Sequence, residues 1–292
     1  WDFTDYGQPW TASGSTPLLA SLQVGMQPTN PGGNNGSQSG GENYAVPHQR
    51  ILSHLVNWHF AEPIPLRTSN LRAPGDIARC FASEGFLDEI AADLKLDPLE
   101  FRLKNLTGNK RAMECLQAAA DKANWRKRPS PAAANGNIAK GRGIALTQRA
   151  ATYVAAVAEA EVNKTTGEVA VKRIVCSHDC GLMINPDGVK NQVEGNIIQG
   201  VSRALYEEVT YDANGVTSLD WGTYPILRFA DVPELEIVLI NRPEMQPLGA
   251  GEGATIPPAA AIANAVFDAV GVRLREGPFT PKRVLEAMQK KV

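Results

Sequence analysis

The spacing of apolar residues predicts three helices in the first half of the chain. They cover residues 76–94, about 98–105 and about 111–124. In the first of these segments, apolar positions recur at the three- and four-residue intervals of one helix face. Asp76 is expected to cap this helix, and the pair Asp97-Pro98 predicts the start of the second.

The second half of the chain alternates between strand and helix patterns. The predicted strands cover residues 153–162, 168–176 and 234–240, and the first two are joined by a hairpin at 163–167. A four-residue apolar step over 187–207 predicts a long helix, and further helices are expected after Pro257 and from Pro281. These elements predict an α+β fold, with helices packed on mixed or antiparallel sheets.

Polar segments divide this pattern into two parts. Residues 126–142 are rich in proline and alanine, and they predict a linker between subdomains at 1–125 and 143–292. Within the first subdomain, 51–60 is a predicted strand. Residues 30–43 form a low-complexity polar loop that is expected to be mobile or to lie over a partner.

Glycines surround one acidic residue in the second half. Glu252 lies between Gly251 and Gly253, with Gly249 just before them. Glycine leaves the carboxylate without neighbouring side chains and allows the backbone to approach a ligand closely. The pattern therefore predicts an accessible carboxylate on a tight loop that leads into a buried helix. Taken alone, such a glutamate is most simply part of a surface turn.

Composition narrows the class of protein. The 292 residues are 43% hydrophobic and 21% charged, which is ordinary for a globular chain. A formal net charge of −2 without a basic run argues against nucleic acid as a partner. No apolar stretch approaches the roughly 18 residues that span a bilayer. Because the sequence starts at Trp1 without a signal peptide, we expect a processed or partial polypeptide.

The four cysteines do not predict a disulfide scaffold. Cys80 and Cys115 fall in helical patterns and are expected to be buried apolar residues. Cys176, His178 and Cys180 offer at most three metal ligands, so a zinc site is disfavoured, while a short-range disulfide stays open. No spacing matches an iron–sulfur motif, so any such cluster would be on another polypeptide.

Four segments together resemble the molybdenum-cofactor-binding large subunit of the xanthine oxidase/aldehyde oxidase family. They are LRAPG at 71–75, EGFLDEIA at 84–91 with DPLEFRLKN at 97–105, DCG at 179–181 continuing through NP to QVEG at 192–195, and GAGE at 249–252. The set spans roughly residues 44–285 and is most similar to the isoquinoline 1-oxidoreductase β-subunit and aldehyde dehydrogenase type. The resemblance implies the molybdenum-cofactor-binding domain of that family, in its C-terminal portion.

The resemblance also implies roles for particular residues. Glu252 would face the molybdenum as the general base that activates water for attack on an electrophilic carbon. Pro74 would line the substrate pocket, at a position where some relatives carry an aromatic clamp. The implied cofactor-binding residues are Arg72, Ala73, Gln192, Gly195, Gly249, Ala250 and Gly251. No protein side chain is expected to bind molybdenum directly.

Cofactors and partners follow from the same resemblance. The substrate would be an aldehyde or an N-heterocycle, and the cofactor would be the molybdenum–pterin group in its cytosine dinucleotide form. Electrons would pass to 2Fe-2S clusters on a small subunit, and a cytochrome c subunit is a further expected partner. The glycine-rich pterin segments of the family subunit are absent from these residues, so its N-terminal part is expected as a separate chain. The relatives imply a periplasmic or cell-envelope location, with the cytoplasm as the alternative.

Other interpretations remain open at this stage. The chain would be a structural subunit without chemistry of its own, or a metal-independent hydrolase that uses Glu252. The hydrolase is disfavoured because no Gly-x-Ser-x-Gly elbow is present. Glu84, Asp88 and Glu89 are expected on a solvated helix face with a salt bridge. Burial would raise the pKa of Glu252 and the following helix N-terminus would lower it, and the sequence does not decide between them.

Overall fold

The computed structural model describes residues 1–7, 43–55, 71–132 and 136–290. The strands are β1 (Asp2–Gly7), β2 (Arg50–Leu55), β3 (Ile138–Arg149), β4 (Thr152–Asn163), β5 (Val169–Asp179), β6 (Tyr211–Asp212), β7 (Gly215–Val216) and β8 (Glu234–Leu239). The α-helices are α1 (Asp76–Asp93), α2 (Pro98–Asn105), α3 (Lys110–Lys122), α4 (Pro186–Leu205), α5 (Pro257–Val270) and α6 (Pro281–Gln289). Short 3₁₀ turns lie at Phe229–Asp231 and Gly253–Thr255.

A four-stranded sheet in the order β3-β4-β5-β8 positions the rest of the fold. Its first three strands are antiparallel neighbours, and β8 runs parallel to β5. Side chains on both faces of β4 are buried, so its sequence is a nearly continuous apolar run. The helices and sheets together form the α+β fold that the sequence predicts.

Two apolar cores lie on opposite faces of this sheet. On one face, Val154, Ala156 and Ala158 belong to the same buried cluster as the apolar residues of α4 and α5. On the other face, Ala155 and Val157 share a cluster with α2 and α3. The alternation of side chains along β4 therefore assigns successive residues to different cores. Because α4 and α5 pack on one face, the loop that precedes α5 is held against the sheet.

Strand β3 begins inside the segment that the sequence predicts as a linker. Gly141 and Gly143 weaken the strand pattern there, since glycine is poor in strands. In the fold they are needed, because a Cβ on either residue would lie 2.1 Å from a carbonyl oxygen of α5. These two positions let the helix pack directly on the strand backbone. The same glycines that weaken the strand pattern in the sequence therefore allow the close packing of β3 against α5.

Most predicted elements are confirmed within a few residues. The helices after Pro257 and from Pro281 begin where predicted, and the strand predicted at 168–176 continues to Asp179. Strand β1 was not predicted; it pairs in parallel with β2. The strand predicted over 51–60 is observed up to Leu55, and its remainder lies outside the described residues. The polar loop predicted at 30–43 also lies outside them, except for Asn43.

The prediction of a solvated face for Glu84 and Asp88 was wrong. Both are buried in α1, with exposed fractions of 1% and 2%. Arg102, which is fully buried, donates from Nε to Glu84 at 2.8 Å and forms an ion pair with Asp88 at 3.4 Å. Tyr44 also donates to Glu84 at 2.7 Å, and Arg273 pairs with Asp88 at 2.9 Å. A buried arginine therefore allows two acidic side chains to face the interior.

No helix in the described part of the chain is both long and apolar enough to cross a membrane.

Candidate functional site

Two distant loops meet at Glu252. The backbone N–H of Ala73 donates to Oε2 of Glu252 at 2.9 Å. Next to this contact, Nε of Arg72 donates to the carbonyl oxygen of Gly251 at 2.6 Å. The structure therefore brings together the 71–75 turn and the 249–253 loop, both of which the family resemblance assigns to the site. Glu252 keeps 32% of its side chain exposed, so its carboxylate is accessible from outside.

The 71–75 turn has an unusual backbone that points the Ala73 N–H at this loop. Ala73 and Gly75 both have left-handed φ angles, of +56° and +75°. Arg203, at the end of α4, donates to the carbonyl oxygen of Arg72 at 2.7 Å and so supports the turn. The residue that caps α1 is Gly75, without a side-chain hydrogen bond, so the expected cap at Asp76 was wrong. Asp76 is instead the first residue of the helix, where its carboxylate pairs with arginine.

The turn that follows β5 supports the segment leading to Glu252. Gly181 has a φ of +72°, and a Cβ there would lie 2.3 Å from the carbonyl oxygen of Gln246. The backbone N–H of Leu248 donates to the Cys180 carbonyl at 2.8 Å. This close approach requires glycine, which gives the 179–181 motif a structural role. It fixes the start of the segment that ends at Glu252.

Asp179 anchors the same motif. Its carboxylate is buried, and it accepts from Arg111 at 2.5 Å and from Arg242 at 2.9 Å. Burial raises the pKa of Asp179, but the two guanidinium groups and the Gly181 N–H outweigh burial and lower it. An ionised Asp179 thus ties α3, β5 and the segment after β8 together beneath the site.

Sequence reasoning missed Arg149, which forms an ion pair with the Glu252 carboxylate. Its Nε and Nη2 lie 2.8 Å and 2.6 Å from Oε1 of Glu252. Nε also lies 3.3 Å from Asp76. Arg149 ends β3 at the tight turn into β4, and the sequence offers no signal for it beyond a charge at a strand end. Its contacts cross 103 residues to Glu252, so only the fold reveals them.

The ionisation of Glu252 is decided by these contacts. Burial raises its pKa, while the Ala73 N–H, Arg149 and Arg72 lower it, and the net effect is a pKa below the usual range. Glu252 is therefore a carboxylate at neutral pH. This answers the question that the sequence left open, in favour of ionisation. The helix α5 begins five residues later, so specific donors rather than the helix terminus account for the shift.

Gln192 on α4 contacts this cluster, as Gln199 and Arg203 of the same helix do. Its Oε1 accepts from Nη2 of Arg72 at 3.2 Å. Its Nε2 makes no hydrogen bond to any residue that the structure describes, and it faces Gly251, where a Cβ would lie 3.9 Å away. Gly195 lies about one turn further along α4 and is exposed, and a Cβ there would meet no atom within 4 Å. No contact joins Gly195 to the Glu252 loop in the described structure.

The remaining predicted residues lie along the two loops. Gly249 is exposed and its carbonyl oxygen accepts from the Thr152 hydroxyl at 2.8 Å. Ala250 is half-buried between Gly249 and Gly251. Pro74 is half-buried beside Ala73 in the left-handed turn. The geometry thus places Pro74 at the rim of the cluster, without an aromatic ring.

His178 and the neighbouring cysteines lie behind the Glu252 loop. His178 is fully buried, and neither ring nitrogen has a hydrogen-bond partner among the described residues. A Cβ on Gly253 would lie 3.8 Å from its Nε2. Cys176 and Cys180 are free thiols, so they do not form the disulfide left open above. Within the part of the chain that the structure describes, no three His, Cys, Asp or Glu side chains are grouped as metal ligands would be.

Comparison with known proteins identifies the family. The model of the molybdopterin cofactor-binding domain matches residues 83–233, which is more than half of the chain. The chain belongs to this family. The matched residues include α4 and the glycine turn after β5, which hold the Glu252 loop.

Curated relatives agree with this assignment, and a solved structure shares the fold. The chain is 37% identical to one subunit of the nicotinate dehydrogenase of Pseudomonas putida, over 97% of this chain and 24% of the relative. It is 33% identical to the beta subunit of isoquinoline 1-oxidoreductase from Brevundimonas diminuta, over 69% of this chain and 25% of the relative. The chain therefore spans about a quarter of the length of these relatives. The fold matches aldehyde oxidoreductase from Desulfovibrio gigas with a TM-score of 0.70 at 19% identity, over 99% of this chain and 47% of that chain.

The residues at the site fit a pterin cofactor. A pterin presents nitrogen and oxygen atoms in one plane, and it needs amide-type partners as well as room for close approach. Gln192 offers an amide nitrogen without a partner among the described residues, and a Cβ on Gly249 would meet no atom within 4 Å. The bare loop and the available amide of Gln192 are thus compatible with the group that the family binds.

Proposed function

We propose that this chain is part of a molybdenum-dependent oxidoreductase that hydroxylates an aldehyde or N-heteroaromatic carbon, with water as the oxygen source. One observation carries the proposal: an ionised, accessible carboxylate at Glu252 is held against the Ala73 turn, in a chain whose residues 83–233 match the molybdopterin cofactor-binding domain. The names of the relatives, nicotinate dehydrogenase and isoquinoline 1-oxidoreductase, support an N-heteroaromatic substrate.

Glu252 would act as the general base. Oε1 accepts both short contacts from Arg149, whereas Oε2 accepts one hydrogen bond, from Ala73. A carboxylate oxygen has about two acceptor sites, so Oε2 retains one. A proton taken from the attacking water would therefore be held at Oε2. The ionised state at neutral pH makes the base available without prior deprotonation.

The cofactor would be held by the surrounding loops. When bound, the molybdenum–pterin group supplies the oxidising capacity for the two electrons that leave the substrate carbon. Gln192 would donate its amide to the pterin, and the residues Arg72, Ala73 and 249–251 would face the cofactor through their polar backbone groups. Gly195 would leave space for it on α4. Pro74 would border the substrate without stacking on it.

The assembly would contain further components. We propose the cytosine dinucleotide form of the cofactor, a small subunit with 2Fe-2S clusters, a cytochrome c subunit, and the remaining N-terminal part of the large subunit as a separate chain. Metal analysis, nucleotide release by acid and intact-mass measurement of the native complex test these points. Release of CMP would support the cytosine form, and a single uncut large subunit would contradict the separate chain.

The proposed location is the periplasm or the cell envelope. This rests on the resemblance to the isoquinoline-type relatives, and the cytoplasm is the alternative. Fractionation of cells that produce the native complex, followed by immunodetection of this chain, distinguishes them.

Substitution of Glu252 tests the proposed function. Glu252→Gln keeps the size of the side chain but removes the base, so turnover is expected to fall by at least about 100-fold, the lower range for general-base catalysis. Glu194→Gln is the matched control, because Glu194 on α4 has a similar exposure, 33%, and pairs only loosely with Lys190, at 3.8 Å. Molybdenum content is measured in both variants.

Two outcomes separate the candidate functions. Loss of turnover in Glu252→Gln with unchanged molybdenum supports the general base. Retained turnover with bound molybdenum would contradict that role, and it would leave the chain as a structural subunit that holds the cofactor without taking part in the reaction.

A further inference from the structure

Arg149 has a specific geometric relationship to the two oxygens of Glu252. Both of the contacts that Arg149 makes to Glu252, at 2.8 Å from Nε and 2.6 Å from Nη2, go to Oε1 and neither goes to Oε2. Oε2 is held separately by the Ala73 N–H. The two oxygens of one carboxylate therefore have different partners, and the side chain cannot rotate about its terminal bond without losing these contacts.

The charged and titratable groups around this carboxylate come from several elements. Arg149 comes from the end of β3, Arg72 from the 71–75 turn, and Asp76 from the start of α1. Arg203 on α4 contacts the Arg72 carbonyl, and His178 on β5 lies behind Gly253. Only Arg149 forms an ion pair with Glu252 among the residues that the structure describes.

Asp76 and Glu252 compete for the same guanidinium. Nε of Arg149 lies 3.3 Å from Asp76 and 2.8 Å from Glu252. Burial raises the pKa of Asp76, and the nearby Glu252 charge raises it further, while Arg149 and Arg79 oppose this shift. The charge of Arg149 is thus shared between two carboxylates, of which only Glu252 faces the site.

We propose that Arg149 is the positioning residue for the Glu252 base: it occupies Oε1, leaves Oε2 as the proton-accepting oxygen, and keeps the carboxylate ionised. This inference rests on the proposed function of Glu252. The sequence pattern placed part of β3 within a linker. The inference gives this strand a direct role, because its last residue orients the base. The lowered pKa of Glu252 agrees with it.

Two substitutions are expected to act in opposite directions. Arg149→Met keeps an unbranched side chain but removes the charge, so the pKa of Glu252 should rise by about one unit or more, as expected for loss of an opposite charge within 4–6 Å. Asp76→Asn removes a carboxylate that competes with Glu252 for Arg149 and repels its charge, so the pKa of Glu252 should fall. The acid limb of kcat/KM should move with the pKa in each case. A merely structural role would not produce shifts of opposite sign.

The control is Arg173→Met. Arg173 has a similar exposure, 18% against 20% for Arg149, and it also bridges two carboxylates, Glu159 and Glu236. It lies on β5, away from the Glu252 loop, so the acid limb should stay in place. A second measurement avoids turnover: infrared difference titration of the cofactor-free complex follows the Glu252 carboxyl band, which is assigned by its absence in Glu252→Gln.

The outcomes distinguish this inference from the proposed function. Opposite shifts in the two variants, in kcat/KM and in the infrared titration, support Arg149 as the positioning residue. Unchanged titration in Arg149→Met, with Glu252→Gln still inactive, overturns the inference and leaves the general base intact. If Arg149→Met does not assemble, Arg149→Lys replaces it. The lysine keeps the charge but loses the two-nitrogen contact, and a titration equal to the wild type would overturn the inference.

Discussion

The backbone N–H of Ala73 lies 2.9 Å from Oε2 of Glu252, although 179 residues separate the two in the chain. Ala73 presents this N–H because its φ of +56° turns the backbone toward the loop. Alanine is strained in this left-handed region by about 1 kcal/mol, and the surrounding contacts must hold it there. The site therefore depends on how firmly the fold holds each loop.

The support of the Glu252 loop by Gly181 gives a first prediction. In Gly181→Ala, the new Cβ would lie 2.3 Å from the Gln246 carbonyl oxygen, at a φ of +72°. The loop must shift, so we expect a lower thermal midpoint and reduced molybdenum content in the purified complex.

Gly108→Ala is the control that separates the cost of a positive φ from the cost of the steric contact at Gly181. Gly108 also has a positive φ, +88°, but a Cβ there meets no atom within 4 Å. Gly108→Ala should be destabilised only by the roughly 1–2 kcal/mol that a left-handed φ costs alanine, and its molybdenum content should be normal. Equal effects of the two substitutions would show that the close approach at Gly181 does not hold the site.

Periodicity was sufficient to predict most of the helices and strands that surround the site. The apolar step through α4 and the glycine loop before α5 are local patterns, and each is readable within about 20 residues. The Glu252 loop was also found, because glycine marks close backbone approach whatever the tertiary context. The 71–75 turn was assigned to the site only by the family resemblance. The contact of the two in space was inferred from the same resemblance, since the sequence pattern alone does not pair distant loops.

The residues that were missed depend on long-range partners. Arg149 resembles any charge at the end of a strand until Glu252, 103 residues away, is placed beside it. Glu84 and Asp88 resemble solvated helix residues until Arg102 is buried between them. Acidic residues are rarely buried unless paired, so the local pattern predicts exposure. The fold buries Glu84 and Asp88 nonetheless, because it places a buried arginine beside them.

The buried network around Arg102 gives a second prediction. Arg102→Met would leave Glu84, whose side chain is only 2% exposed, without its arginine partner, and it would take from Asp88 the more distant of its two arginines. Breaking a buried pair by removing one partner typically costs about 3–5 kcal/mol. We expect this loss in the free energy of unfolding, measured by denaturant titration of the purified subunit.

Arg275→Met tests whether burial is the cause. Arg275 pairs with Glu89 at the surface of the same region, and 67% of its side chain is exposed. Solvent screens such a pair, so the change should stay within about 1 kcal/mol. A similar loss in both variants would argue that charge alone, and not burial, determines the contribution of these arginines.

His178 gives a prediction about pH. Burial lowers its pKa to about 4, from the usual 6.5, and no group in the described part of the chain accepts a proton from its ring. The folded chain therefore keeps His178 neutral where the unfolded chain protonates it. Between about pH 6.5 and 4 the unfolded state binds more protons, so stability falls as the pH is lowered. The loss would approach about 3 kcal/mol at the acid end, at 1.36 kcal/mol per pKa unit.

His178→Leu should remove this dependence, because leucine does not titrate and suits a fully buried position paired with Val154 across the sheet. The thermal midpoint of the purified subunit, measured from pH 7 to pH 4.5, should fall less steeply in the variant than in the wild type. Carboxylates contribute equally to both curves, so their difference isolates the histidine. His48→Leu, at an exposed position, should follow the wild type. Parallel curves for His178→Leu and the wild type would mean that the ring is protonated, or partnered by water, behind the Glu252 loop.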